Sequence, residues 1–353
     1  MSDKSNDSDN INVSDKPVKK TSVGGQAIIE GLMMIGPNKA AIAVRKPNSE
    51  IELQTKPLPP KSKLSKIPVL RGVTGLFRQM VLGMKALMYS SEFVDIEEES
   101  AEGTEGAEGA EDAEGKGESS KFGQFLEEKF GNKGKDIVIY CVVVVSLCFS
   151  VGLFILLPNI IVSFFGFDKT IKTQLLLSNL CEGIVRVVIF LGYMALTSRM
   201  KEISRVWQYH GAEHKTIHCY EHEMELTVEN IQRFSTKHPR CGTSFLFLVM
   251  VISILVFSFT DILTLQLPFQ AVGIVRILFN LLTRIIMIPL VAGLSYEVIK
   301  IAGKYDNVVT RIISAPGLLF QRFTTREPDD SMIEVAILAF NTAMGDDEAE
   351  AQW

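Results

Sequence analysis

Histidine and cysteine are scarce in this 353-residue chain, with five of each. No two cysteines form a CxxC pair, and Cys141, Cys148 and Cys181 sit in apolar runs, where a thiol behaves as a small hydrophobe. That scatter excludes a disulfide framework. The starting stretch MSDKSNDSDN has no apolar core, so a cleavable signal peptide is not expected and insertion into lipid falls to internal segments. No P-loop pattern follows the early glycines of GGQAIIEG, which are read as turn formers rather than phosphate binders. The charge balance carries no global basic signature, so nucleic acid is not an expected partner.

What the chain does have is apolar surface. Hydrophobic residues make up 47% and mean hydropathy is positive, which points to a lipid bilayer as the partner that buries much of it. The net charge of −5 is misleading until located, because much of the acid lies in one block, residues 96–118. A lysine-bearing start (Lys16, Lys19, Lys20) reads as a solvated tail. The expected organisation is a disordered leader (1–22), a small α+β cytoplasmic domain (23–95), an acidic flexible linker (96–120) and a four-span membrane domain (121–304). A cytoplasmic C-terminal segment (305–341) and an acidic tail (342–353) complete it. Within 23–60, β-prone runs at 27–34, 40–45 and 50–56 alternate with Gly-Pro and Pro-Asn turn signals, predicting a small antiparallel sheet. Residues 71–94 carry Leu76, Phe77, Met80, Val81, Met84, Leu87 and Met88 at helical spacing. That amphipathic helix can cover the sheet or lie on the membrane face, and covering the sheet is the favoured expectation.

Apolar segments at 137–165, 174–197, 244–265 and 274–296 are long enough to span. The second holds Glu182 and Arg186 one turn apart, the third Asp261, and the fourth Asn280 and Arg284; such groups are expected to face the protein interior. The fold class is therefore a membrane protein: an α-helical bundle of about four transmembrane helices with a small α+β N-terminal cytoplasmic domain. Seven basic residues lie in 198–243, only Lys169 and Lys172 between the first two spans, and none in 266–273. This asymmetry puts both termini and the histidine segment in the cytoplasm of a multi-pass membrane protein.

All five histidines fall between His210 and His238, and His210, His214, His218 and His222 recur every fourth residue. On a helix each such step drifts only about 40° around the axis, so the imidazoles form a stripe. His210-Gly211-Ala212-Glu213-His214 matches H-x-x-E-H, the inverted zinc-hydrolase motif. Two histidines one turn apart can ligate one divalent metal, possible zinc chemistry in which Glu213 is the general base. A third ligand comes from elsewhere, with His238, Cys241, Glu30 and Glu297 as candidates. One tetrahedral site cannot use four imidazoles, so His218 and His222 are read as surface groups. Thr227 is expected to cap a short helix from Val228 that folds His238 and Cys241 back towards His214. Glu297 reads more simply as a salt-bridge partner of Arg199 or Arg205, and Asp329, Asp330 or Ser331 as a helix cap.

Several stretches in order, VGGQAIIEGLMMIGP, YHGAEHKTI, LTVENIQRFSTKHPRCGTSF, PLVAGLSYE and TTREPDD, resemble the YqhQ family of bacterial membrane proteins of unknown function, sometimes described as predicted metal-dependent enzymes. The resemblance covers roughly 23–94 and 135–341. It implies functional weight for Glu30, His210, Glu213, His214, His238, Cys241, Glu297, Arg326 and Asp329, but not for His218 or His222. Two functions compete: a metal-dependent hydrolase of a lipid, peptide or membrane-associated metabolite, and a non-catalytic membrane scaffold that binds a protein partner. A transporter finds less support, since the spans are few and no broken-helix repeat is evident.

Overall fold

The computed structural model describes residues 19–58, 63–101, 141, 144–168, 171–264, 274–305 and 307–345. The expected leader up to residue 18, the acidic linker beyond 101, the start of the first span and the tail beyond 345 lie outside the described residues. Four strands come first: β1 (Gly24–Ile28), β2 (Gly31–Ile35), β3 (Lys39–Arg45) and β4 (Ile51–Pro57). The helices are α1 (Leu70–Ala101), α2 (Val144–Ser163), α3 (Lys172–Thr197), α4 (Lys201–Glu221), α5 (Val228–Gln232), α6 (Gly242–Thr264), α7 (Ile274–Lys304), α8 (Val308–Thr324) and α9 (Asp330–Met344).

The strands form an antiparallel meander in chain order. The run at 27–34, expected as one strand, is split by a two-residue hairpin, because Ile28 pairs with Gly31. Glu30 sits in that turn with φ +49°, a left-handed conformation that costs a non-glycine residue roughly 1–2 kcal/mol. Gly31 is required there, since a Cβ would lie 2.1 Å from the Ala43 carbonyl oxygen. Side chains alternate across the sheet: Leu32, Met34, Ala41 and Ala43 pack on one face, and Met33, Ala40, Ile42 and Val44 on the other. Both faces are covered, which explains why GLMMI reads as an unbroken apolar run.

α1 covers the second face, with Ala86 buried and Leu82, Tyr89 and Phe93 packed beside it. It runs seven residues past the expected 94, into the acidic segment. The first face is covered by α4 and α9, which bring Tyr209, Ala212, Met332, Ile333, Ala336 and Phe340 into one core with Leu32 and Met34. Each large apolar side chain so enclosed contributes about 1.5–3 kcal/mol. The sheet, the histidine helix and the C-terminal helix are thus one packed unit.

Among the described residues, four helices are long and apolar enough to cross a membrane: Val144–Ser163, Lys172–Thr197, Gly242–Ile262 and Leu282–Lys304. The fourth runs eight residues beyond the expected end at 296. Several polar groups within them find partners on neighbouring helices. α2 contains a π-helical turn at Gly152–Leu156, and the Arg186 Nε–H donates to the carbonyl of Phe154 in that turn (2.9 Å). Such turns leave carbonyls without their usual helical donor. Asn159 donates to Glu182 (3.4 Å), Asn179 donates to Asp261 (3.1 Å), and Arg284 lies 3.8 Å from the same Asp261 carboxylate.

α4 is held against the chain between α8 and α9 by close backbone approach. The Arg326 N–H donates to the Trp207 carbonyl (2.9 Å), and a Cβ on Gly211 would lie 2.0 Å from the Arg326 carbonyl oxygen. Gly211→Ala is therefore expected to lose about 1–3 kcal/mol through overpacking, read as a lowered thermal midpoint in detergent. Gly75→Ala, where an added methyl meets open space, is the control and should not fall.

Candidate metal centre

The imidazole stripe forms as expected on α4, but most of it faces inward. His210 and His214 are 7% and 2% exposed and meet edge to face one turn apart, with ring centroids 4.4 Å apart. A backbone carbonyl fixes each ring. The Nδ1–H of His210 donates to Thr324 (2.7 Å) at the end of α8, and the Nδ1–H of His214 donates to Thr236 (2.5 Å). A carbonyl can only accept, so both protons sit on Nδ1 and both Nε2 atoms are left as acceptors or ligands.

The third donor arrives through the connection from α4 to α6. Thr227 caps α5 as expected, its side chain accepting from the Asn230 N–H (3.3 Å). The chain then doubles back, and Gln321 of α8 clamps it: the His238 N–H donates to Gln321 Oε1 (2.8 Å), and Gln321 Nε2 donates to the His238 carbonyl (2.7 Å). This places Cys241 Sγ 3.2 Å from His210 Nε2. Ligand atoms of His210, His214 and Cys241 all lie within 4.8 Å of one another, and all three residues are buried. The sulfur also accepts from the Thr243 N–H (3.3 Å), in the first turn of α6, where the helix dipole favours negative charge.

Glu213 lies beside this cluster. Its Oε1 accepts from the Gly25 N–H of β1 (2.7 Å), while its buried Oε2 has no hydrogen-bond partner among the described residues. A Cβ on Gly25 would come within 3.0 Å of the Glu213 carboxyl carbon and 2.6 Å of the Met33 carbonyl oxygen. This glycine, read from sequence as a turn former, is a strand residue that makes room for a carboxylate.

The electrostatics follow from burial and proximity. Burial opposes ionisation of Cys241, but His214 and His210 overcome it and hold the thiol well below its ordinary range. Burial likewise opposes a charged His210, yet the Cys241 sulfur, its hydrogen bond, Glu213 and the Thr324 carbonyl push it up to about 9. Burial raises Glu213 despite the two neighbouring imidazoles. Both shifts favour charge on this pair, a lowered thiol beside a raised imidazole.

The remaining sequence candidates go elsewhere. The His238 ring packs against His214 and His218, with centroids 5.7 and 4.6 Å away. Its nitrogens face other groups: Nδ1 accepts from the Arg240 N–H (3.3 Å), and Nε2 lies 3.6 Å from Glu221. Burial, followed by the neighbouring His218, His214 and Arg240, holds His238 well below its ordinary value. Glu30 pairs with Arg205 (2.5 Å to NH2) and Glu297 with Arg71, so neither carboxylate joins the cluster; the Glu297 partner is Arg71 and not Arg199 or Arg205. Asp329 caps α9, accepting from the Met332 N–H (2.9 Å), and Arg326 donates to the Ser198 carbonyl at the end of α3. His218 and His222, expected at the surface, are half-buried: the His218 Nε2–H donates to the Lys237 carbonyl (2.9 Å), and His222 packs on Phe234 (5.0 Å).

The reading also missed a buried ion pair between Glu221 and Arg240, which ties the histidine helix to the loop bearing Cys241. Glu221 additionally accepts from the Thr21 N–H (2.7 Å), anchoring the end of the expected leader. Two isolated charges far apart in sequence gave no signal for this.

These features define a helical protein with four helices apolar enough to cross a membrane, a small sheet and a buried His-His-Cys cluster between them. The family described as "Protein of unknown function (DUF1385)" matches residues 67–346, and the chain belongs to it. It is 31% identical over 324 residues to "Uncharacterized protein YqhQ" of Bacillus subtilis (strain 168), covering 90% of this chain and 91% of the relative. No solved structure matches.

The sign of the pH dependence follows from the pair. The stability contributed by His210 is present below its unfolded value of 6.5 and lost as pH rises through about 9. That of Cys241 is present above 9.0 and lost as pH falls through its lowered value. After chelation, the wild-type protein is therefore expected to show an ultraviolet thiolate band at neutral pH that disappears on acidification and is missing from Cys241→Ser. A band emerging only above the ordinary thiol range would contradict the pairing.

Proposed function

We propose that this chain is a multi-pass bacterial membrane protein with a cytoplasm-facing divalent-metal centre, held by His210, His214 and Cys241, and that it acts as a metal-dependent hydrolase. The observation that carries the reading is the convergence of two backbone-fixed imidazoles and the Cys241 sulfur beside a carboxylate with one oxygen unpartnered among the described residues. A donor set of one sulfur and two imidazole nitrogens suits zinc and other thiophilic cations, not magnesium or calcium. Three protein ligands leave a coordination position open, as catalytic zinc sites do.

A divalent cation in this position would supply Lewis acidity and bring the pKa of a water molecule towards neutrality. The chain supplies the remaining parts. Glu213 keeps Oε1 on the Gly25 N–H and has Oε2 available to take a proton. Its raised pKa moves it towards the operating range of a general base. The Thr324 and Thr236 carbonyls hold the imidazoles in the ligating tautomer. The cytoplasmic orientation rests on the seven basic residues of 198–243 against the sparse basic residues of the two opposite connections.

A second reading, a structural metal in a membrane scaffold, is favoured by one observation. The cluster residues are all buried, and a cavity of about 670 Å³ lies apart from them, lined in part by Glu30, Arg45, Lys201 and Arg205.

Elemental analysis of detergent-purified protein separates these readings. Wild type and Glu213→Gln are expected to hold one metal per chain, with His210→Ala and Cys241→Ser losing it. Against a panel of esters, peptides and phospholipids, Glu213→Gln should lose about 100- to 10,000-fold in hydrolysis without loss of thermal stability. Stoichiometric metal whose removal only unfolds the chain supports the structural reading, and gently purified wild type without metal overturns both.

A further inference from the structure

Two helices outside the four candidate spans each turn a stripe of large apolar side chains away from the protein. On α1, Phe77, Met80, Val81, Met84, Leu87 and Met88 are all exposed, Phe77 at 69% and Met80 at 64%. At about 100° per residue they fall within roughly 120° of the helix circumference. The opposite face holds the small residues Gly72, Gly83, Ala86 and Ser90, all buried. α8 repeats the pattern. Val308, Val309, Ile312, Ile313 and Leu319 are exposed, while Thr310, Gly317, Gln321 and Thr324 face inward. In a helix held by water-facing burial the large side chains turn inward, so this arrangement requires an apolar medium outside.

We infer that α1 and α8 lie in the plane of the bilayer interface, with these two stripes sunk into the lipid on the side where α3 ends, α6 begins and α7 ends. Continuity with the candidate spans identifies lipid as the occupant. α1 starts on α7, where a Cβ on Gly72 would meet the Tyr296 side chain at 2.6 Å and one on Gly293 would meet Val69 at 2.4 Å. α8 crosses the first turn of α6, with Gly317 against Ser244, and Phe320 stacks on Phe190 of α3 (5.4 Å). Basic side chains flank both stripes, Arg78 and Lys85 on α1 and Arg311 and Arg322 on α8, placed for long stems to reach lipid phosphates. A helix of this kind sinks its apolar face about 5–10 Å into the headgroup boundary.

The inward face of α8 carries the Thr324 carbonyl that fixes His210 and the Gln321 amide that clamps His238. The His-His-Cys cluster therefore sits about one helix diameter, roughly 10 Å, from the lipid headgroups.

The inference rests on the four apolar helices spanning the bilayer, and the test separates the two. Full-length Met84→Trp, Ile312→Trp and Leu255→Trp, the last a 64% exposed site on α6, are reconstituted in vesicles whose lipids carry bromine near the headgroup or deep in the chain. Fluorescence is read as the increment over the two native tryptophans. Quenching at 84 and 312 should be several-fold stronger with shallow than with deep bromine, and at 255 the order should reverse. If 255 is quenched but 84 and 312 are not, the helices span but the interfacial placement is wrong. If 255 is not quenched either, the spanning reading fails and the inference with it. Disulfide cross-linking of Met84→Cys between two copies, without bromine quenching, would assign the stripe to a homodimer and overturn lipid as its occupant.

Discussion

Two backbone carbonyls decide what His210 and His214 can do. An imidazole on a helix surface can rotate, exchange its proton between nitrogens and hydrogen-bond water. Here the carbonyls of Thr324 and Thr236 fix each ring by Nδ1, so each Nε2 has one direction left. The arrangement also satisfies the carbonyls. Thr324 lies in the last turn of α8, where helical carbonyls have no partner within the helix, and it is almost fully buried. Left alone, that acceptor would cost about 1–3 kcal/mol. The end of α8 and the orientation of His210 therefore stabilise each other, and each depends on where the other's element is placed.

That mutual dependence accounts for the shape of the surroundings. Gln321, one turn before Thr324, holds the His238 backbone in both directions and so sets the path of the loop that delivers Cys241. The Glu221–Arg240 pair joins the far end of α4 to the same loop. Removing either charge would leave the other buried without this ion pair, a larger penalty than the pair itself contributes. Cys241 then stands immediately before α6, so a membrane-length helix contributes its N-terminal dipole to the thiolate.

The apolar segments, the meander, the Thr227 cap and the Asp329 cap were legible because each depends on local pattern. Two pairings were not. Glu30 and Glu297 carry the same residue type and the same family resemblance as the real cluster members, yet they meet Arg205 and Arg71 across separations no periodicity records. His238 is three residues from Cys241, and only the loop path shows its nitrogens turned towards Arg240 and Glu221 while the sulfur turns to His210. The carbonyl acceptors are backbone groups and have no residue signature at all. The hairpin at Ile29–Glu30 was missed because its turn uses a glutamate in a conformation usually given to glycine.

The role of β1 follows from the same geometry. Glu213 stands one residue before His214, on a helix whose neighbours are already packed, so its carboxylate can extend only towards the sheet. There it meets a strand with no side chain at Gly25, and one N–H satisfies one oxygen. A second donor at that point would have saturated the carboxylate and made it a purely structural acceptor. A Cβ at residue 25 would press on the carboxylate at 3.0 Å and on the Met33 carbonyl oxygen at 2.6 Å. One fixed oxygen and one oxygen without a partner among the described residues, held beside two oriented imidazoles, suit the proton-exchange role proposed for Glu213, while the Gly25 contact also ties the sheet to the helix.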